Sequence, residues 1–206
     1  MSKMKRKSID EVALKRKISI NEWIQYFVVL IGMTQVMSFL TKRVISIINS
    51  VFTYELVNKN IIDSITEDVS PGILILCVVI ISPIVEEIIF RKILFERLLP
   101  LGTTIAIVVS SLLFGVAHAN LEQLLYTIFL GVICANLVII SGKITYAIFM
   151  HMMFNFFGGI IAPHLPEEGI ITTGLAILFA LGGSWILLFR GKRMFAKESY
   201  DGYKGE

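Results

Sequence analysis

Cysteine is scarce in this sequence. Cys77 and Cys134 both fall inside apolar runs and have no metal-ligand spacing. This excludes a disulfide framework and a cysteine-based zinc site, and both thiols read as small buried hydrophobes. Charge is sparse as well: Asp, Glu, Lys and Arg make up 17% of the 206 residues, and the net charge is +3. The basic residues gather at the two ends and form no groove pattern, so a nucleic-acid partner is not expected. No G-x-S-x-G and no H-E-x-x-H occurs, which removes the soluble-type serine elbow and the helical zinc-protease signature. There is no internal repeat and no low-complexity tract. No small-residue cleavage site follows the first apolar run, so a cleavable signal peptide is not expected.

What the sequence has is apolar length. Hydrophobic residues make up 55% of it, with a mean hydropathy of +0.78. They come in long runs rather than dispersed, which reads as an all-α, polytopic transmembrane helical bundle. Six spans are expected: Trp23 to Leu40, Pro71 to about Leu99, Thr103 to Ala119, Leu121 to Ile140, Ile144 to Ala162 and Ile170 to Phe189. Val44 to Val57 is apolar but interrupted by Asn49, Ser50 and Glu55, so it reads as an interfacial helix or an extension of the first span. Residues 1–21 form a basic arm expected to be cytoplasmic and solvated. Residues 22–190 form the transmembrane domain, and 191–206 a cytoplasmic tail. Placing both termini in the cytoplasm puts all but Lys42, Arg43 and Lys59 of the 19 Lys and Arg on the inside. That agrees with the positive-inside rule, which a seventh crossing at Val44 to Val57 would break.

Against this background a few polar residues stand out. Ionisable groups inside a spanning segment are costly and usually functional. Glu86 and Glu87 close an apolar run that begins near Gly72, and Pro83, one turn earlier, removes a backbone hydrogen bond and predicts a kink. Glu87 and Arg91 are i,i+4 and can pair on one face. Glu86, rotated by about 100°, is free to do chemistry. Phe114 and His118 are i,i+4 in the third span, and His151 and Asn155 are i,i+4 in the fifth. His164 lies in a loop and is expected to be solvated.

Depth constrains how these groups can meet. If the second helix left the membrane near Arg91, Glu86 and His118 would lie near opposite faces. They meet if the second and third helices form a hairpin projecting into the cytoplasm with Arg91, Lys92, Glu96 and Arg97. The site then lies in the cytoplasmic half of the membrane. A carboxylate there, beside a histidine, can deprotonate a water for attack on a peptide carbonyl. His151 and the Asn155 amide can donate to the oxyanion. Glu86, His118 and His151 could instead hold a divalent metal such as zinc, although their spacing is no metal signature.

In order, EEIIFR (Glu86 to Arg91), FGVAH (Phe114 to His118) and HMMFN (His151 to Asn155) resemble the EExxxR, FxxxH and HxxxN motifs of the CAAX protease and bacteriocin-processing (Abi) family. The resemblance covers roughly Pro71 to Phe157. It implies an intramembrane endopeptidase of glutamate-dependent type, often labelled a metalloprotease, with a CAAX-type or bacteriocin-processing and self-immunity role. It implies that Glu86 and His118 activate water, that His151 and Asn155 hold the oxyanion, and that Glu87, Arg91 and Phe114 support them. The short chain favours a bacterial-type member in the plasma membrane, acting on a peptide or membrane protein. The alternatives are a non-catalytic scaffold or bacteriocin-immunity protein of the same fold, and a transporter, for which no paired half-repeats are found. Whether metal is required, whether substrates are prenylated and the oligomeric state are left open.

Overall fold

The structure is a computed structural model and describes residues 7–52, 69–165 and 170–194. The described secondary structure is helical. A short turn, α1 (Ile9–Val12), precedes α2 (Ile20–Phe52). The long helix α3 is built from successive pieces between Pro71 and Leu101. It is followed by α4 (Thr103–Ala117), α5 (Leu121–Ser141), α6 (Ile144–Phe156, continued by a wider turn at Phe157–Ile161) and α7 (Ile170–Met194). Five of these helices are long and apolar enough to cross a membrane, whereas α4 is shorter. At about 1.5 Å per residue, its 15 residues reach some 22 Å, less than a hydrocarbon core of about 30 Å. The protein is an integral, multi-pass membrane protein.

The bundle is organised around α5. Two thirds of its apolar window is buried inside the protein, against a third or less for the other spans. Large apolar side chains instead cover the outer faces, with Leu188, Leu181, Phe149 and Ile47 all strongly exposed. In water such a surface would be a liability, whereas in lipid it is the solvent-matched face. With no hydrophobic drive between helices in lipid, close packing must come from small residues. The α2–α7 seam shows this. A Cβ on Gly32 would lie 2.1 Å from the Phe179 carbonyl oxygen, and one on Gly183 would lie 3.0 Å from that of Val28. Gly131 plays the same part between α4 and α5, where its Cβ would meet Ser111 at 3.0 Å.

One expectation resolves and one changes. Val44 to Phe52 extends the first span, one of its two readings, because α2 runs unbroken through Asn49 and Ser50. Ser50 is accommodated by donating its hydroxyl to the Ile47 carbonyl at 2.8 Å. The rest of that segment, from residue 53, lies outside the described residues, as does most of the Asn58 to Ser70 loop. The basic arm is also not simply solvated over its described part. Ile9 and Ile18 are buried. The backbone N–H groups of Leu14 and Arg16 donate to the Ile139 and Ile140 carbonyls, both at 2.9 Å. The last carbonyls of a helix lack intrahelical donors, and the arm satisfies two of them at the end of α5. Gly142 follows there in the left-handed conformation, φ 72°, a common way to close a helix.

Candidate active site

The site is set by a break in the register of α3. Its segment Ile75–Ile81 is wound as a π-helix, and the Ser82 N–H reaches back to the Cys77 carbonyl. The next residue, Pro83, has no N–H. The Val78 carbonyl therefore loses both its α-type donor, Ser82, and its π-type donor, Pro83. Asn155 on α6 replaces them, donating Nδ2 to Val78 O at 3.0 Å. The break ties α6 to α3 about two turns before the two acids. Ordinary α-helix resumes at Ser82–Glu87, and a second π stretch, Ile88–Leu94, carries Arg91. Such wide turns recur at functional sites.

Glu87 points into the bundle. Its side chain and that of Arg91 are fully buried, with Arg91 Nε 3.2 Å from Glu87 Oε2. The other carboxylate oxygen, Oε1, accepts from His151 Nδ1 at 3.1 Å. The Arg91 guanidinium also lies over the Phe114 ring, 5.1 Å from its centroid. Cys134 on α5 lies beside both charged groups and donates its thiol to the Ala147 carbonyl at 3.7 Å. The buried charge of Arg91 is thus neutralised locally, and Glu87 is left to orient a histidine.

Glu86 turns the other way, towards a partly open face. Its Oε1 accepts a hydrogen bond from the Ser82 hydroxyl. Its Oε2 is buried without a hydrogen-bond partner. That oxygen faces His118 Nε2 at 3.9 Å and His151 Nε2 at 3.9 Å. Both rings are oriented through their other nitrogen. His118 Nδ1 is 2.8 Å from the Phe114 carbonyl, which can only accept, so Nδ1 carries the proton. His151 Nδ1 likewise donates to Glu87. In the neutral rings, both Nε2 lone pairs then point to the Glu86 oxygen.

Three acceptors converging at this spacing call for a shared donor. A water about 2.8 Å from each atom of a pair fits a separation of 3.9 Å. A tetrahedral zinc with ordinary ligand distances would draw such a pair to about 3.4 Å. Among the described residues, no group of three His, Cys, Asp or Glu is placed to hold a metal ion. The spacing leaves room for a water shared between Glu86 Oε2 and a histidine Nε2.

Phe114 fixes the geometry of this centre. It is fully buried and meets His118 edge-on at 4.8 Å, His151 at 5.6 Å and Phe90 at 5.1 Å between ring centroids. The α4 helix ends at His118, and Ala119 takes φ 49°, a left-handed conformation that costs a non-glycine residue energy. Asn120 then caps α5 by accepting from the Glu122 and Gln123 N–H groups. Access is asymmetric. The His151 side chain is 1% exposed, while Glu86 and His118 are 26% and 22% exposed.

Glu86, Glu87, Arg91, Phe114, His118 and His151 therefore come together as one cluster. Asn155 lies one turn beyond His151, with one of its two amide hydrogens spent on Val78. Ser82 is not among the polar residues that the sequence alone singles out, although it stands four residues before Glu86, one helical turn away. His164 lies away from this cluster, is exposed and bonds the Ile160 carbonyl.

Comparison with known proteins agrees with the motifs. Residues 68–157 match the family model described as type II CAAX prenyl endopeptidase Rce1-like. The matched stretch contains every motif residue. A candidate membrane peptidase, YdiL of Bacillus subtilis (strain 168), is 42% identical over 79 residues. That match covers 38% of this chain and 32% of the length of YdiL. No solved structure matches.

Proposed function

We propose that this protein is an intramembrane endopeptidase that hydrolyses a peptide bond with a water activated by Glu86. The observation that carries the reading is the unpartnered Glu86 Oε2, buried and facing both histidine Nε2 atoms at equal distance. A water held there donates to Glu86 and is oriented by His118. Glu86 takes its proton as the oxygen attacks the peptide carbonyl. The proton then passes to the leaving amine, so the products are a free carboxylate and a free amine. His151 is held at Nδ1 by the Glu87 carboxylate, and its doubly protonated form, whose charge that carboxylate balances, donates from Nε2 to the developing oxyanion. The remaining Asn155 amide hydrogen is the second donor.

The short α4 supports a site within the membrane, because His118 follows a helix that does not span the full core. The charge asymmetry supports cytoplasmic termini and a site in the cytoplasmic half of a bacterial plasma membrane. The substrate class is a peptide or membrane-associated protein segment that reaches the exposed side of Glu86 and His118. The test is cleavage of a membrane-anchored reporter peptide by the purified protein in detergent, with His118→Ala and His151→Ala as comparisons. Both variants are expected to lose cleavage. Wild-type rates in both would overturn the reading. An inert wild type against several reporters would favour a binder of the same fold.

A further inference from the structure

Hydroxyl side chains inside helices usually donate back to the carbonyl four residues earlier. This protein follows the habit at Thr34 to Leu30, Thr41 to Met37, Thr127 to Gln123 and Ser141 to Leu137, at 2.6–2.9 Å. Ser82 does not. Its carbonyl four residues back is Val78 O, which Asn155 occupies. Its hydroxyl turns forward instead and donates to Glu86 Oε1.

From this we infer that Ser82 is a positioning residue for Glu86, its hydroxyl turned forward to the acid while Asn155 serves the Val78 carbonyl. The torsion that turns a glutamate carboxylate is soft and broad. With only Oε2 addressed by the histidines, the carboxylate plane would swing. A bond to Oε1 fixes that plane and leaves Oε2 as the oxygen presented to the water. Oε2 is the oxygen that faces the two Nε2 atoms, so the proton from a water held there goes to Oε2. The arrangement is set by the Ser82–Pro83 pair and the π register: the Val78 carbonyl, without a backbone donor, accepts from Asn155, and the Ser82 hydroxyl donates to the acid.

The inference rests on Glu86 as the base. The test compares wild type, Ser82→Ala and Ser82→Thr by two readouts. The first is peptide cleavage. Losing a hydrogen bond to a charged group should lower kcat roughly tenfold to a hundredfold, with KM within about twofold. Ser82→Thr, which keeps the hydroxyl, should restore most of kcat. The second readout needs no substrate. It follows the infrared carboxylate bands assigned to Glu86 by their loss in Glu86→Gln, which Ser82→Ala should shift and Ser82→Thr should bring back. Unchanged kcat in an active preparation, or Glu86 bands unmoved by Ser82→Ala, would overturn the inference. If wild type cleaves nothing, the peptidase reading fails, and the infrared comparison still decides whether Ser82 holds Glu86.

Discussion

The Glu87 carboxylate accepts from His151 Nδ1 at 3.1 Å and stands 3.2 Å from Arg91 Nε, with all three side chains at most 1% exposed. A buried charge is tolerated here because its partner is equally buried. Removing one member strands the other, which typically costs about 3–5 kcal/mol. Arg91→Ala should therefore lower stability by about that amount, read as a drop in detergent melting temperature. Replacing both charges at once, Glu87→Leu with Arg91→Met, should recover much of the stability but not cleavage, because His151 would lose the carboxylate that orients it.

The two histidines should separate in a paired stability and activity measurement. His118 is partly exposed and bonded to a main-chain carbonyl, whereas His151 is buried and bonded to Glu87. His118→Ala should cost little stability and reduce kcat by about a hundredfold or more. His151→Ala should reduce kcat comparably and also destabilise by about 1–3 kcal/mol, because Glu87 loses a buried donor.

Phe114 spaces both imidazoles and carries the Arg91 guanidinium on its face. Phe114→Ala should cost about 3–5 kcal/mol, the usual range for emptying a buried aromatic site. Phe114→Leu should recover part of the stability while leaving kcat low, since an aliphatic side chain lacks the flat faces that hold the rings. Thermal melts and single-turnover cleavage check the two halves.

Asn155 and Ser82 should be energetically coupled. If Asn155 acts partly by occupying Val78 O, Asn155→Ala lets the Ser82 hydroxyl turn back to that carbonyl. The Ser82→Ala and Asn155→Ala losses in kcat should then overlap, so that the double variant is less impaired than the product of the singles. Purely multiplicative losses would mean that Asn155 acts on the oxyanion alone.

The i,i+4 pairs were legible in the sequence because one helical turn alone sets them. Glu87 with Arg91 and Phe114 with His118 are in contact as spacing predicts. The split between an inward Glu87 and an outward Glu86 was legible for the same reason. The direction of the Asn155 amide was not. It depends on a carbonyl 77 residues away, freed by a change of helix register that composition does not signal. Ser82 was hidden by the same dependence, since a serine in a helix ordinarily serves its own backbone. The docking of the N-terminal arm on the end of α5 was hidden because Ile9 and Ile18 are isolated apolar residues in a basic stretch, and the bonds that tie the arm down come from the Leu14 and Arg16 backbone. The extension of α2 through Asn49 and Ser50 was one of two readings the sequence allowed, and the Ser50 hydroxyl is absorbed by the Ile47 carbonyl.

The central claim is that Glu86 is the base, and its most direct test is peptide cleavage by purified wild type and Glu86→Ala, each with and without a chelator. The account predicts cleavage by wild type in both conditions, and none by Glu86→Ala in either. Persistent cleavage by Glu86→Ala would contradict the assignment of the base. Loss of wild-type cleavage on chelation would contradict a water held by side chains alone.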